Sequence, residues 1–135
     1  MIHMSAHVGR PGPHVALTRQ IIACAIEVHR ELGPGLLESA YQRCLSHELG
    51  LQGLLARNEV GIPISYKGLD LDNSYRADLI VEDAVMLELK AVDLILPVHE
   101  AQLLTYLKHS HLHIGLLINF NVRQLTNGIR RFVRN

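Results

Sequence analysis

The sequence has little aromatic content, few cysteines and no long apolar run. Its 135 residues include no tryptophan, four tyrosines and two phenylalanines, while 48% are hydrophobic. A core therefore has to be built mainly from Leu, Ile, Val and Ala. No apolar run approaches the roughly 20 residues that span a bilayer, so we expect no membrane segment. No apolar stretch precedes a small-residue cleavage site near the N-terminus, so we expect no secretory signal and a cytoplasmic location.

The two cysteines, Cys24 and Cys44, lie in separate helical segments without CxxC spacing. We interpret them as small core residues rather than a disulfide, which suits a reducing compartment. No repeat and no Gly/Ser linker divides the chain. Its length fits one domain, which we predict over residues 18–135, after a flexible N-terminal arm over residues 1–17.

Acidic residues are missing from the C-terminal part of the chain. The formal net charge is zero, but no acidic residue follows Glu100. The basic residues beyond it are Lys108, Arg123, Arg130, Arg131 and Arg134. Since 8 of the 13 basic residues and all 13 acidic residues precede that point, the two parts carry −5 and +5. Such asymmetry can mark a surface that faces a polyanion, although on charge alone a solvated C-terminal edge is the simpler interpretation.

Apolar periodicity predicts three helices separated by short strands. The predicted helices are 18–32 with Thr18 as N-cap, 36–49 ending at Gly50, and 97–109 opened by Pro97. The predicted strands are 54–60, 62–66, 75–81, 85–92 and the buried run 113–119. The last segment fits either a helix or a hairpin at Asn127-Gly128, and we favour an edge hairpin. This order predicts an α/β fold, with a mixed central sheet flanked by helices.

Strand alternation gathers charged side chains on one face of the hairpin that contains residues 75–92. If its turn is 82–84, then Asp78 lies opposite Glu88. Directly opposed β-carbons lie about 4.5–5.5 Å apart, so these two carboxylates could hold one cation. The same register places Arg76 opposite Lys90, a like-charge pair that is unfavourable without compensation. The residues predicted on the other face of the first strand are Tyr75, Ala77, Leu79 and Val81.

Such a face suits phosphodiester hydrolysis. Carboxylates hold Mg²⁺ or Mn²⁺, and a nearby ammonium group stabilises developing negative charge. Asp78, Glu88 and the backbone carbonyl of Leu89 would be the ligands, and Lys90 the cation. From the hairpin alone, a solvated face with cross-strand charge pairs is an equally good interpretation.

Four segments carry a more specific pattern. They are 35–41 (GLLESAY), 75–83 (YRADLIVED), 88–92 (ELKAV) and 97–104 (PVHEAQLL). Together they resemble the GxxExxY family of the PD-(D/E)XK nuclease superfamily, over about residues 18–134. Ala77 stands where the superfamily name has Pro. The resemblance implies a restriction-endonuclease-like core and a nuclease that uses Mg²⁺ or Mn²⁺ and acts on DNA or RNA.

The resemblance also extends the set of candidate site residues. It adds Glu38 as a further catalytic and metal-binding acid, although a solvated first-turn glutamate explains that residue alone. It makes Gln102 a candidate catalytic residue. The candidate substrate contacts are Tyr41, Arg76, Tyr106, Arg130 and Arg131. Two alternatives stay open: a non-catalytic module that binds nucleic acid or a protein, and an assembly module that forms a homodimer.

Overall fold

The computed structural model describes residues 14–72 and 74–135. Its elements are α1 (Val15–Leu32), α2 (Glu38–Leu51), β1 (Ala56–Gly61), β2 (Ser65–Tyr66), β3 (Leu69–Asp70), β4 (Arg76–Val81), β5 (Val85–Lys90), α3 (Pro97–Ser110), β6 (Ile114–Asn119), a 3₁₀ helix (Leu125–Gly128) and β7 (Ile129–Val133). No helix in this described part of the chain is long and apolar enough to cross a bilayer.

Five strands form one mixed sheet in the order β1-β4-β5-β6-β7. Strands β5 and β6 are parallel, and the other neighbours in this sheet are antiparallel. Strands β2 and β3 form a separate two-stranded ribbon. Helices α1 and α2 pack on one face of the large sheet and α3 packs on the other. The predicted α/β architecture, a mixed sheet flanked by helices, is confirmed.

Each face of the sheet has its own apolar cluster. The α1/α2 cluster includes Leu79, Leu87 and Leu116, and the α3 cluster includes Met86 and Leu117 together with the buried face of α3. Because strand side chains alternate between faces, the nearly continuous burial of β5 and β6 follows from helix cover on both sides. The charged positions of β5 therefore lie within a covered sheet.

The helix ends differ from the prediction by a few residues. Helix α1 begins at Val15, so residues 15–17 belong to the helix and not to the predicted arm; residues 1–13 of that arm lie outside the described part. Thr18 lies inside the first turn, where its hydroxyl donates to the His14 carbonyl at 2.8 Å, so it is not the N-cap. Helix α2 continues through Gly50 to Leu51.

The predicted C-terminal hairpin was wrong, although the segment does end in an edge strand. Asn127 and Gly128 belong to the 3₁₀ helix, and β7 pairs with β6 instead of with a new strand. A β-carbon on Gly128 would lie 2.2 Å from the backbone oxygen of Asn119. The glycine is therefore required for close backbone approach and not for a hairpin turn.

Candidate active site

The β4–β5 hairpin has the register predicted from a turn at 82–84. Leu79 pairs with Leu87, and one step further along the strands Asp78 and Glu88 make side-chain contacts. The Asp78 N–H donates to the Glu88 carboxylate at 2.8 Å, and the Leu89 N–H donates to the Asp78 carboxylate at 2.7 Å. Carboxylate oxygens thus accept the N–H groups where the regular backbone pairing of these strands stops.

The alternation predicted for β4 breaks at the same point. Leu79 and Val81 pack in the α1/α2 cluster as expected. Ala77 instead packs in the α3 cluster. The ring of Tyr75 lies edge-on to the ring of Tyr106 of α3, with 6.2 Å between the ring centroids. The prediction that all four share one face was wrong for Tyr75 and Ala77. A strict period of two requires an uninterrupted ladder, and the ladder is interrupted here.

Burial gives this carboxylate pair unusual electrostatics. Glu88 is 5% exposed and Asp78 is half-buried. Desolvation is the main cause that raises the pKa of Asp78 to about 6 and that of Glu88 to about 8, and the charge of Asp78 adds to the rise for Glu88. The charge of Lys90 lowers both pKa values, so its ammonium group acts on both carboxyl groups. Strongly perturbed carboxyl groups of this kind are concentrated at functional sites.

Glu38 lies in the first turn of α2, where it is exposed. Its charge contributes to the raised pKa of Asp78, so its field reaches the hairpin. The loop before α2 explains how it is placed. Gly35 has a φ of 103°, and the Tyr41 hydroxyl donates to the Gly33 carbonyl at 2.5 Å and accepts from the Leu36 N–H at 3.1 Å. The glycine and the tyrosine therefore shape the turn that carries the glutamate.

Tyr41 itself is not placed to touch a substrate. It is 0% exposed, its hydroxyl is occupied within the loop, and its ring stacks on Phe120 at 4.4 Å. The structure thus assigns Tyr41 to the α1/α2 cluster and contradicts the predicted substrate contact. The substrate contact came from the resemblance, whereas burial on the apolar side of α2 gives Tyr41 a role in packing and in the loop.

Gln102 and Tyr106 come together on α3 beside the carboxylate pair. The Gln102 amide donates to the Tyr106 hydroxyl at 3.0 Å. Tyr106 is 4% exposed, and burial raises its pKa, with smaller contributions from the charges of Glu88 and Asp78. The two residues are four apart and therefore share one face of α3, and this face is partly buried. Tyr106 packs with Leu103 in the α3 cluster.

The predicted arginine contacts are not gathered into one surface. The Arg76 guanidinium donates to the Glu59 carbonyl at 3.1 Å. Arg130 pairs with Leu117 of the α3 face and forms an ion pair with Glu100. Arg131 is the next residue in β7 and therefore points to the opposite face, where burial lowers its pKa. Because neighbours in a strand alternate, Arg130 and Arg131 lie on opposite faces of the sheet, and the substrate contact predicted for each stays a prediction.

Two residues that the sequence analysis missed also reach this site. Glu59 of β1 adds a negative charge that raises the pKa values of Asp78 and Glu88. Gln42 of α2 donates to the Asp78 carbonyl at 3.0 Å and to the Glu59 carboxylate at 2.8 Å. Gln42 directly follows Tyr41, and Glu59 lies in a short charged strand. Neither position carries a sequence signal beyond an ordinary surface residue.

The donor chemistry of the pair fits a hard divalent cation. The described hydrogen bonds use one oxygen of each carboxyl group, Oδ2 of Asp78 and Oε2 of Glu88. Oxygen donors of this type suit Mg²⁺ or Mn²⁺. Within residues 14–72 and 74–135, no group of three or more His, Cys, Asp and Glu side chains is arranged to hold a metal ion. Glu38 therefore does not complete a three-carboxylate cluster in this arrangement.

The sheet order and the charged hairpin together identify the class of fold. A five-stranded mixed sheet between helices, with an Asp and a Glu-x-Lys on adjacent central strands, is consistent with the restriction-endonuclease-like fold. The family described as the PD-(D/E)XK nuclease superfamily matches residues 15–132. The chain belongs to this superfamily. No curated protein and no solved structure matches it significantly.

Proposed function

We propose that this protein is a nuclease that requires Mg²⁺ or Mn²⁺ and hydrolyses phosphodiester bonds in DNA or RNA. Its catalytic centre is Asp78, Glu88 and Lys90, within the GxxExxY branch of the superfamily. The observation that supports it most is the buried pair itself. Two carboxyl groups with raised pKa values lie beside one ammonium group at a break in the sheet. Two buried carboxylates lower the stability of the fold unless a bound cation offsets their repulsion and desolvation, so their presence indicates a functional site.

Asp78 and Glu88 are the residues that would hold the cation, with the Leu89 carbonyl as an additional ligand, while Glu38 would act on the site through its charge. A bound divalent cation supplies Lewis-acid polarisation of the phosphate and acidification of water. The backbone contributes rigidity, because each carboxylate is anchored by an N–H group of the opposite strand at 2.7–2.8 Å. The ligands are therefore oriented before a cation arrives.

The other side chains have separate roles in this proposal. Lys90 stabilises negative charge that develops on the phosphate, since it lies on the same strand face as Glu88. Gln102 is oriented by its bond to Tyr106 and contributes its remaining amide oxygen to a water molecule or substrate group. Arg76 is exposed at the edge of the hairpin and contacts a substrate phosphate.

The direct test is an incubation of purified protein with labelled single- and double-stranded DNA and RNA, with Mn²⁺ or with chelator. We expect cleavage of at least one substrate with Mn²⁺ and none with chelator. Binding without cleavage of any substrate at millimolar Mn²⁺ would favour the non-catalytic alternative.

A second test measures the cation site without a substrate. Mn²⁺ should raise the melting temperature (Tm) by mass action, because it binds the folded site and relieves repulsion between Asp78 and Glu88. Glu88→Gln should abolish that rise and leave the fold intact. The absence of a metal-dependent shift in the wild type would count against the site.

A further inference from the structure

Gln42 connects α2 to the strand that carries Asp78. It follows Tyr41 on the helix and is half-buried. Its side-chain nitrogen donates to the Asp78 carbonyl at 3.0 Å and to the Glu59 carboxylate at 2.8 Å, and lies 3.3 Å from the Asn58 side-chain oxygen. One amide group thus joins acidic residues on two neighbouring strands.

Asp78 needs such support because regular pairing is interrupted on both sides of it. The β1–β4 register passes over Asp78 and Glu59, and Glu59 has a φ of 52°. The β4–β5 register stops at Leu79. The backbone of Asp78 is therefore held by side chains: its N–H by the Glu88 carboxylate and its carbonyl by Gln42.

The chemistry of an amide suits this position. The two N–H groups of Gln42 reach the backbone carbonyl of Asp78 and the carboxylate of Glu59, and a half-buried carbonyl without a donor is unfavourable. The bond from Gln42 also ties the Glu59 carboxylate of β1 to α2, and this fixes the position of that carboxylate relative to the Asp78–Glu88 pair. An amide does this without adding a positive charge that would compete with a cation for the carboxylates.

We propose that Gln42 is a positioning residue for the catalytic centre, which fixes the backbone of Asp78 and the carboxylate of Glu59. The inference rests on the proposed nuclease function, in which Asp78 holds the cation. Gln42 touches neither substrate nor cation in this proposal. It determines the direction in which Asp78 presents its carboxylate.

The first test compares Gln42→Ala and Gln42→Glu with a matched control, Gln52→Ala, in the full chain. Gln52 immediately follows α2, and its amide also contacts a glutamate, Glu48, at 3.3 Å, away from the hairpin. With Mn²⁺ and the substrate that the wild type cleaves, Gln42→Ala should lower kcat about tenfold and change KM less than about twofold. Gln42→Glu should lower kcat further, because it replaces the donor by a further carboxylate beside Glu59. Gln52→Ala should match the wild type.

A kcat for Gln42→Ala within about twofold of the wild type would overturn the proposal. A rise in KM without a fall in kcat would do the same, and so would an equal loss in Gln52→Ala.

The second test does not depend on activity. Amide hydrogen exchange is measured on the metal-free protein, for the Leu89 N–H that donates to Asp78 and for the Leu87 N–H in the regular ladder. Gln42→Ala should accelerate exchange at Leu89 about tenfold and leave Leu87 unchanged. Unchanged exchange at Leu89, or equal acceleration at both, would overturn the positioning role. If the wild type cleaves nothing, the proposed function fails, and exchange at Leu89 alone decides on Gln42.

Discussion

Replacement of Glu88 by glutamine should stabilise the metal-free protein at high pH. Glu88 is 5% exposed and its pKa is raised to about 8, mainly by desolvation and then by the charge of Asp78. A carboxyl group with a raised pKa in the folded state holds its proton more tightly there than in the unfolded chain. The free energy of unfolding therefore falls as pH rises from the unfolded pKa, about 4.3, through the folded pKa. Glutamine keeps the shape and removes this dependence.

The magnitude follows from the shift. One pKa unit corresponds to about 1.4 kcal/mol, so a shift from 4.5 to about 8 has an upper bound of roughly 5 kcal/mol. Relaxation around the charge reduces the gain, and we expect about 2 kcal/mol at pH 9. For a domain of this length the unfolding entropy is about 0.28 kcal/mol per kelvin, so Tm should rise by about 7 °C. At pH 4, just below the unfolded pKa, the variant should match the wild type to within about 0.3 kcal/mol.

The assay is thermal unfolding from pH 4 to pH 9 with chelator present. Glu31→Gln is the control, because it removes the same charge from an exposed position on α1. Its Tm difference from the wild type should stay within about 1 °C over the range. A Glu88→Gln difference that does not grow with pH, or that is negative at pH 9, would refute the electrostatic reasoning.

Three further predictions concern the ammonium group of Lys90, the buried Tyr41 and Gly128 of the 3₁₀ helix. Lys90→Ala should lower turnover by a factor on the order of 10², whereas Arg76→Ala should mainly weaken nucleic-acid affinity and its salt dependence. Steady-state kinetics and binding at several salt concentrations separate the two, and an unchanged rate in Lys90→Ala would rule out its catalytic role. Tyr41→Phe should lower the free energy of unfolding by about 1–3 kcal/mol, because Gly33 and Leu36 lose a hydrogen-bond partner. KM should be unchanged, and a rise in KM without loss of stability would instead support a substrate contact of Tyr41. Gly128→Ala should lower Tm by more than about 7 °C, since its β-carbon meets the Asn119 carbonyl; a wild-type melting curve would contradict the close approach.

The parts of the fold that the sequence predicts well are those with strong local signals. Alternation and the turn at 82–84 predict the register that brings Asp78 to Glu88, and Pro97 marks the start of α3. The Asn127-Gly128 pair misleads, because a tight backbone contact across the sheet selects glycine as strongly as a hairpin turn does. Local patterns do not distinguish these two reasons for a glycine.

The site is predictable only where its residues share a strand or a motif. Asp78, Glu88 and Lys90 follow from alternation, whereas the role of Tyr41 does not, because it depends on the contacts of its hydroxyl with Gly33 and Leu36. Glu59 does not, because its role depends on a local interruption of the pairing with β4, where Glu59 has a positive φ that no pattern in β1 predicts. The roles of buried polar groups depend on tertiary hydrogen bonds, and single-sequence patterns do not encode these.

The central claim is that the Asp78–Glu88–Lys90 centre cleaves nucleic acid, and the rate of cleavage in matched variants tests it most directly. One labelled substrate is incubated with Mn²⁺ and equal amounts of wild type, Glu88→Gln or Glu31→Gln, each shown to be folded by its melting curve. The account predicts cleavage by the wild type and by Glu31→Gln at equal rates, and a rate for Glu88→Gln lower by a factor on the order of 10² or more. Cleavage by Glu88→Gln at the wild-type rate would contradict it.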